Sequence, residues 1–400
     1  MCDGFPAVYP SRKGFSACRS IPKMNHLISV PFSISGWQQN GPVRRFAMLV
    51  LVILGSFACQ SCKPNGSDSS EGSWTFVSIP DFLNKDTHYP HPGFEDALSY
   101  FLQAVRAENP DFILVPGDLV NGRWPTLMEP TEEAIVEKAG IFYPAWKARM
   151  EAHDLQYYVA VGDHEVGDNP WPEEKARLVP IFEEQFRKHL QMPENGPEHM
   201  KGLAYSFIHK NTLIVSVNVF EAGDGPEGKI VANVSGEQLR WLGEVLNEHQ
   251  SVDHMIVMGH TPVLGPVKQM HSSGMMLEGG RESEFWKTLV KHQVDLYLCG
   301  EVHAITCSEQ DGVEQIAHGS LFGWNPTVNY LVGRVSPESI ELELKEIDII
   351  PEVVDRKSLS VSFTPEALRE GFRTVGTMSI DKSGSRTTKE RTGHFRVENQ

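Results

Sequence analysis

The sequence predicts an α/β fold with a substantially parallel core, because two patterns alternate along its central part. Short apolar runs typical of buried strands are separated by segments whose apolar residues recur every three or four positions, as in amphipathic helices. Four of the apolar runs end at a Gly that is followed by Asp, Glu or His. Strands that alternate with helices in this order are typical of α/β folds, so both patterns point to the same class.

The first strand and helix are predicted from residues 74–105. "WTFVSIPD", residues 74–81, is an apolar run with the length of a buried strand. A helix follows, because one apolar stripe is formed by Phe94, Ala97, Leu98, Phe101, Leu102 and Val105. "DFILVPGD" then gives a second strand from Phe112, which breaks at Gly117 and Asp118.

The same plan recurs three more times along the chain. A helix near residues 134–152 leads to the strand in "LQYYVAVGDHE", and a helix near 237–248 leads to "HMIVMGHTP". A helix near 284–292 leads to "VDLYLCGEVH". A hairpin is expected at 203–220, and the later apolar runs up to residue 350 are expected to complete a mixed sheet.

The chain becomes polar and loses clear periodicity after residue 350. We therefore expect residues 351–400 to form a polar, weakly structured tail outside a domain at 74–350. One short helix is expected within that tail, because "TPEALREGF" at 364–372 begins with Thr, Pro and Glu, which suit a helix cap and first turn.

The N-terminal part contains a candidate export signal. Residues 1–43 are mixed in composition and are interpreted as an unstructured extension, or as the product of a start codon assigned too far upstream. Residues 44–73 begin with two arginines, an apolar run at 46–59 and a polar linker, which are the features of a signal peptide. We expect an exported protein that is periplasmic, secreted or lipid-anchored. The membrane tether would be a lipidated Cys59 or Cys62; an ordinary signal peptide is the alternative.

Composition limits the classes of ligand. The formal net charge is −16 and no basic run stands out, so general binding to nucleic acid is disfavoured. A phosphate substrate remains compatible with this charge if metal ions supply positive charge locally.

The polar residues at the strand ends are the candidate functional residues. A strand that merely stops needs Gly, Pro, Asn or Ser, and a single polar turn is typical of a solvated loop. In α/β sheets, however, ligands bind beyond the carboxyl ends of strands, and four such turns on one edge favour a functional site. The candidates are Asp118, Asp163, His164, His260, Glu301 and His303.

These residue types suit a metal centre. Carboxylate and imidazole ligands without thiolates favour ions such as Mn, Fe, Zn or Mg. Carboxylates can bridge two ions, and a two-metal site can clamp the attacking and leaving oxygens of a phosphoryl displacement while activating hydroxide. Asp163 would then be a ligand, and His164 beside the metals would donate a proton to the leaving oxygen.

The motifs "VPGD", "VGDHE", "VMGHTP" and "CGEVH" resemble successive blocks of the calcineurin-like metallophosphoesterases, which include purple acid phosphatases. Over roughly 74–350 the resemblance implies a β-sandwich flanked by helices, with two divalent or trivalent ions (Mn, Fe or Zn) at the strand ends. It also implies hydrolysis of a phosphomonoester or phosphodiester. By the same resemblance Asp118 would bridge the metals, Asp163 and His260 would bind one, His303 the other, and His164 would be the general acid.

Three positions depart from the family pattern. Asp163 stands where the family has Asn, and Glu301 replaces the first His of the last block. Glu301 could still be a ligand and would favour harder, more oxophilic ions. In the first block, strand position favours Asp81, which lies at a strand end. The alternative is the pair Asp86 and His88, which form a literal DxH beyond the strand.

Two arginines are candidates for contacting substrate phosphate. Arg123 follows shortly after a predicted ligand, and Arg281 lies in a segment rich in Gly and Ser at 270–285, for which a solvated loop is the alternative. A second function is also admissible, because the altered ligands Asp163 and Glu301 would suit a metal- or phosphate-binding surface module with little turnover.

Five further polar residues are interpreted as structural. Glu165 would stiffen its turn, and Asp168 with Asn169 would cap the Pro-Trp-Pro turn that follows. His254 and His318 are expected to be structural histidines.

Overall fold

The computed structural model of the protein describes residues 72–81, 94–120, 131–320, 324–355, 358–384 and 387–396. The strands are β1 Trp74–Ser78, β2 Phe112–Val115, β3 Tyr157–Val159, β4 Tyr205–His209, β5 Thr212–Ser216, β6 Phe220–Gly225, β7 Gly228–Ala232, β8 His254–Met258, β9 Leu296–Cys299, β10 Thr306–Gln310, β11 Val313–Ala317, β12 Thr327–Val335, β13 Ser339–Asp348, β14 Ile350–Asp355, β15 Ser358–Ser362, β16 Arg373–Asp381 and β17 Thr388–Arg391. The helices are α1 Phe94–Ala107, α2 Glu132–Ala152, α3 Glu173–Ala176, α4 Val179–Leu190, α5 Gly236–Glu248, α6 Glu284–Lys291 and α7 Pro365–Glu370.

Two mixed sheets form the core of the described residues. The larger has the order β17-β16-β13-β12-β1-β2-β3, and the smaller has the order β10-β11-β9-β8-β5-β4. Strands β1, β2 and β3 are mutually parallel, as are β5, β8, β9 and β11. One buried apolar cluster contains residues of both sheets, and Tyr158 of β3 stacks on Phe207 of β4 with ring centroids 3.9 Å apart. The predicted α/β fold with a β-sandwich and flanking helices is confirmed.

The helices cover the sheets through their apolar faces, and the helix predicted near residues 134–152 is present as α2. In α2 the cap Thr131 accepts a hydrogen bond from the Ala134 amide (3.2 Å), and the buried face is Ile135, Ala139, Phe142, Tyr143, Trp146 and Met150. Trp146 contacts Tyr157 of β3 edge-on, whereas Trp286 of α6 contacts Tyr297 of β9. The helices therefore stand beside the parallel strands and leave the carboxyl ends of those strands to the loops.

The segment expected to be a weakly structured tail instead adds two strands to the larger sheet. β16 pairs antiparallel with β13, and β17 pairs with β16. Gly376, Met378 and Ile380 are buried at alternate positions, which is the period of a strand whose outer face is polar. The predicted short helix is present as α7, where Thr364 Oγ1 accepts from the Ala367 amide (3.0 Å).

Ion pairs to buried carboxylates connect this C-terminal region to the smaller sheet. Lys382 Nζ lies 2.6 Å from Asp295 Oδ1, and Lys389 Nζ lies 2.8 Å from Glu314 Oε1. Arg391 also contacts Glu314, whose side chain is only 1% exposed. A buried carboxylate needs such partners, because leaving it unpaired costs several kcal/mol.

The N-terminal predictions fall outside the described residues. These include the apolar run 46–59 and both Cys59 and Cys62. In the part of the chain that is described, no helix combines the length and hydropathy that crossing a membrane requires.

His318 is fully buried, as expected for a structural histidine. It contacts Ser78 of β1 and Asn329 of β12, which are neighbouring strands of the larger sheet. Its Nδ1 lies 3.2 Å from Asn329 Oδ1 and its Nε2 lies 2.9 Å from Ser78 Oγ. Asn329 donates its amide group to Gly319 O, so its oxygen accepts from Nδ1 and the imidazole is neutral with Nε2 as an acceptor. Burial lowers the pKa of His318 to about 4 from the ordinary 6.5.

This pKa predicts acid sensitivity of the apoprotein. Above pH 6.5 His318 is neutral in both the folded and unfolded chains, whereas between 6.5 and about 4 only the unfolded chain takes up a proton. The free energy of unfolding should therefore fall with falling pH across this window, by about 3 kcal/mol from this group. Urea unfolding with chelator at several pH values would measure it. His318→Gln should show a correspondingly weaker pH dependence, and an equal dependence in both proteins would contradict the assignment.

Candidate metal centre

The loops that follow β1, β2, β3, β8 and β9 bring six predicted ligands together at one edge of the sheets. None of the six side chains belongs to a residue more than 6% exposed; they are Asp81, Asp118, Asp163, His260, Glu301 and His303. Strand position, which favoured Asp81 in the first block, matches its place in this cluster. Asp86, His88 and Arg123 lie outside the described residues.

Two groups within the cluster have the geometry of metal sites. Asp81, Asp118 and His303 form one group, and Asp118, Asp163 and His260 form the other. In each group the potential ligand atoms all lie within 4.8 Å of one another. Asp118 belongs to both groups, so its carboxylate stands where a bridging ligand would stand.

The buried negative charges of this cluster would be stabilised by a cation. Burial, followed by repulsion from Asp163, raises the pKa of Asp118 well above its ordinary value. Asp81 Oδ2 is buried without a hydrogen-bond partner among the described residues. A buried carboxylate oxygen without a donor is costly unless it binds a metal, so the residues present fit metal ions.

The backbone fixes the orientation of His260. Its Nδ1 lies 2.8 Å from Pro116 O and therefore carries the proton, which turns Nε2 towards the carboxylates. Nε2 lies 3.2 Å from Asp163 Oδ1 and 3.4 Å from Asp118 Oδ1. Burial alone would lower the pKa of His260, but these carboxylates outweigh burial and raise it well above 6.5.

His303 is oriented in the same way by another part of the chain. Its Nδ1 donates to Met270 O and His271 O, both at 3.1 Å, so that Nε2 is left as the ligand atom. Asn325 Nδ2 donates to His303 O (2.7 Å) and holds the backbone of the loop.

Four residues of the cluster have left-handed backbone conformations, which side-chain-bearing residues rarely adopt. The φ angles are 57° at Asp81, 56° at Asp118, 69° at Glu301 and 50° at His303. Such conformations cost energy and persist where surrounding contacts hold them, commonly at functional sites. One such contact is the Glu301 amide, which donates to Asp81 Oδ1 (2.9 Å).

Two glycines permit the loops to approach this closely. A Cβ atom on Gly162 would lie 2.2 Å from Asp118 Oδ1, and one on Gly319 would lie 2.3 Å from Asp81 Oδ2. Neither distance is compatible with a side chain, so glycine is required at both positions for steric reasons, and Gly319 also has a φ of 113° that favours glycine.

Glu165 connects two of the loops, which goes beyond the predicted stiffening of its own turn. Its Oε2 accepts from the amides of Asp118 (2.8 Å) and Gly162 (2.9 Å), and its Oε1 accepts from Val120 (3.2 Å). Burial raises the pKa of this carboxyl to about 7. Glu165 thus fixes the positions of the loops that carry Asp118 and Asp163.

Glu165→Ala should therefore lower both stability and metal binding. Three buried amides would lose their acceptor, and a loss of about 3 kcal/mol in unfolding free energy is expected, given about 1–3 kcal/mol for each unsatisfied group. Urea unfolding with chelator and elemental analysis after dialysis would measure the two effects. Glu137→Ala, which removes an exposed carboxylate on α2, is the control. Retained stability in Glu165→Ala would contradict this role.

His164 lies between the buried cluster and solvent. Its side chain is 15% exposed, and Nε2 lies 3.7 Å from Asp118 Oδ2 and 4.0 Å from Asp168 Oδ1. Its amide donates to Asp118 Oδ1 (3.2 Å). This is the position expected of a group that exchanges protons with a substrate placed over Asp118.

Three polar residues that were not predicted as site residues interact with Asp163, His164 or Asp168. Asn169 Nδ2 donates to Asp163 Oδ2 (3.0 Å), and Asp168 faces the imidazole from a left-handed conformation with φ 66°. Both contact site residues and are more than the caps that were expected. Lys175 of α3 is buried, and burial lowers its pKa even though the charges of Asp168 and Asp163 act in the opposite direction.

Arg281 is not brought to the cluster in the described part of the chain. It lies in a 3₁₀ turn at Gly280–Glu282, its side chain is 65% exposed, and Nε pairs with Glu282 Oε1 (3.4 Å). The solvated loop that was the alternative for this segment describes Arg281 correctly, because Arg281 points into water beside its neighbour.

Comparison with known proteins gives one family. The family model described as calcineurin-like phosphoesterase matches residues 86–304. Among curated proteins, no sequence matches the chain.

Solved structures that are similar to this chain have low sequence identity to it. A purple acid phosphatase from yellow lupin seeds has a TM-score of 0.46 and 13% identity, covering 68% of this chain and 51% of that one. GAP50 of Plasmodium, an anchor in the inner membrane complex, has a TM-score of 0.40 and 14% identity, covering 73% and 90%. A protein of Staphylococcus aureus designated a 5'-nucleotidase has a TM-score of 0.39 and 14% identity, covering 73% and 53%. The chain spans about half the length of the lupin phosphatase.

Proposed function

The chain belongs to the calcineurin-like phosphoesterase family, and from this premise we propose that it hydrolyses phosphomonoesters or phosphodiesters at a dinuclear metal centre. Family membership supports metal-dependent phosphoester hydrolysis in general. The proposal adds the number of metals, the residues that hold them and the proton donor.

The observation that carries this proposal is the pair of ligand groups that share Asp118. Asp81, Asp118 and His303 would hold one ion, and Asp118, Asp163 and His260 the other. Their oxygen and imidazole atoms suit Mn, Fe or Zn. When bound, two such ions would supply positive charge to the attacking and leaving oxygens and would lower the pKa of water to about 7.

The chain's own residues account for the remaining parts of the reaction. Glu165 would hold the loops that carry Asp118 and Asp163 in place, because it accepts from the amides of Asp118, Gly162 and Val120. His164 would donate a proton to the leaving oxygen. Its imidazole is partly exposed and faces Asp118, and it belongs to neither of the two groups that share Asp118. Asp168 Oδ1 lies 4.0 Å from Nε2 of this imidazole.

Metal removal and restoration test the proposal. We expect chelator-treated protein to lose hydrolysis of p-nitrophenyl phosphate and of bis(p-nitrophenyl) phosphate, because the acidic cluster alone repels a phosphate. Addition of Mn, Fe, Zn or Mg singly should restore turnover with at least one of them, and elemental analysis should find two ions per chain. Turnover that survives complete metal removal would refute the proposal.

A second candidate is a metal- or phosphate-binding module with little turnover. It is favoured by one observation, the replacement of two family ligands by Asp163 and Glu301. Two bound ions without hydrolysis of either ester would support this candidate over the enzyme.

We also propose that the protein is exported. The support is the apolar run 46–59, which follows two arginines and precedes a polar linker. Sequencing of the mature N-terminus and labelling with a radioactive fatty acid would test export and lipidation. A mature chain that begins at Met1 would refute export by this signal.

A further inference from the structure

Glu301 holds a neighbouring segment of chain, Met270–Met275, against the metal centre. Its Oε1 accepts from Ser272 Oγ (3.2 Å), Ser273 Oγ (2.5 Å) and the Met275 amide (3.1 Å). Glu301 is 3% exposed, and its backbone, directly after Gly300, has a left-handed conformation. Two hydroxyls and an amide from four consecutive positions therefore converge on a single oxygen.

This arrangement occupies one of the two carboxylate oxygens of Glu301. A carboxylate oxygen has about two lone pairs, and three donors already share those of Oε1. The other oxygen, Oε2, lies 3.4 Å from His260 Nε2. Glu301 belongs to neither of the groups that share Asp118, nor to the third group among the described residues, Asp163 with His164 and Asp168.

The same segment is tied to the metal centre from its other end. The Met270 amide donates to Val302 O (3.0 Å), and His303 Nδ1 donates to Met270 O and His271 O. Residues 301–303 of the loop after β9 therefore contact both halves of this segment. Glu301 binds its second half, and Val302 and His303 bind its first half.

The fastened segment forms part of the rim of the centre. His271 is exposed and its ring centroid lies 6.2 Å from that of Trp324, which precedes the Asn325 that is bonded to His303 O. A substrate whose phosphate lies over the buried ligands would meet this rim with its alcohol part. The position of the segment should therefore affect substrate binding more than metal binding.

We infer that Glu301 is a positioning residue that fixes Met270–Met275 at the rim, and that it does not serve as a metal ligand. The inference rests on the proposed function, because it concerns the same metal centre. It replaces the predicted ligand role of Glu301 with a role in substrate binding.

Three variants distinguish the two roles. Glu301→Gln retains an oxygen that can accept from the same three donors but lacks the charge of a ligand, whereas Glu301→Ala removes the acceptor. Ser272→Ala/Ser273→Ala removes two donors and leaves the carboxylate in place. Glu278→Gln, which neutralises an exposed carboxylate in the same loop, is the control.

The measurements are metal content by elemental analysis after dialysis, amide hydrogen exchange of the peptide 270–277, and steady-state kinetics with p-nitrophenyl phosphate. We expect two ions per chain in all variants. In Glu301→Ala and the double serine variant, exchange should be faster and KM higher, each by about tenfold, because a net hydrogen-bond contribution of this order is lost. Glu301→Gln should resemble the wild type in all three measurements.

Loss of an ion in both Glu301→Gln and Glu301→Ala would overturn the inference and restore the ligand role. Unchanged exchange in the double serine variant would also overturn it. If Glu301→Ala fails to fold, Glu301→Gln and the serine variant still decide between the roles. A wild-type protein that binds metal without turnover would refute the proposed enzyme, while metal content and exchange would still test Glu301.

Discussion

Replacing Asp118 by Asn is expected to lower kcat/KM by at least about 10³-fold, which corresponds to roughly 4 kcal/mol of transition-state stabilisation. Asn retains the size of the side chain and one oxygen, which can still accept from the His164 amide. It removes the negative charge from the one residue that belongs to both ligand groups. Binding of both ions should therefore weaken together, and elemental analysis after dialysis should find fewer than two ions per chain.

The same substitution should leave the metal-free protein as stable as the wild type, or more stable by about 1 kcal/mol. Burial and the charge of Asp163 raise the pKa of Asp118, which means that its ionised form is disfavoured when no cation is present. Urea unfolding with chelator measures this effect and separates loss of metal from loss of fold. A variant that retains two ions and full turnover would exclude Asp118 as the bridging ligand.

Replacing His164 by Gln is expected to affect turnover according to the leaving group. General acid catalysis contributes about 10²–10⁴-fold, and an alkyl phosphate needs this proton because an alkoxide is a poor leaving group. We expect kcat to fall by about that factor with an alkyl phosphate, and by less than about tenfold with p-nitrophenyl phosphate, whose phenolate leaves without protonation.

Metal content should be unchanged in this variant, because both groups that share Asp118 exclude His164. His199→Ala, which alters an exposed histidine paired with Glu237, is the control for loss of an imidazole. Equal losses of kcat with both leaving groups would show that His164 acts in some way other than as proton donor.

Much of the buried cluster could be predicted from the sequence because its candidate ligands directly follow strands. The apolar run and the Gly before Asp118, Asp163 and His260 are local signals, and parallel strands necessarily bring their carboxyl ends to one edge. Asp81 also followed from strand position, although no His stands two residues beyond it.

The residues that were missed depend on contacts between loops distant in sequence. Glu165 accepts from the Asp118 amide, which lies 47 residues away in sequence. Ser273 donates to Glu301, which lies 28 residues away. Nothing in the local pattern around these residues distinguishes them from those of a solvated turn. Strand β16 was missed for a different reason, since its outward face is polar and its buried face includes a Gly, which weakens the alternation.

The pairing of β16 with β13 has a practical consequence for anyone who shortens the chain. A protein cut at residue 350, where the apolar pattern fades, would expose the hydrogen-bonding edge of β13 along the eight residues that pair with β16. Unprotected edges of that length recruit other strands, and the result is commonly aggregation. The cut would also strip Asp295 and Glu314 of their lysine and arginine partners. Insolubility of such a fragment would result from the exposed edge of β13 and the lost ion pairs, and it would give no information about the metal centre.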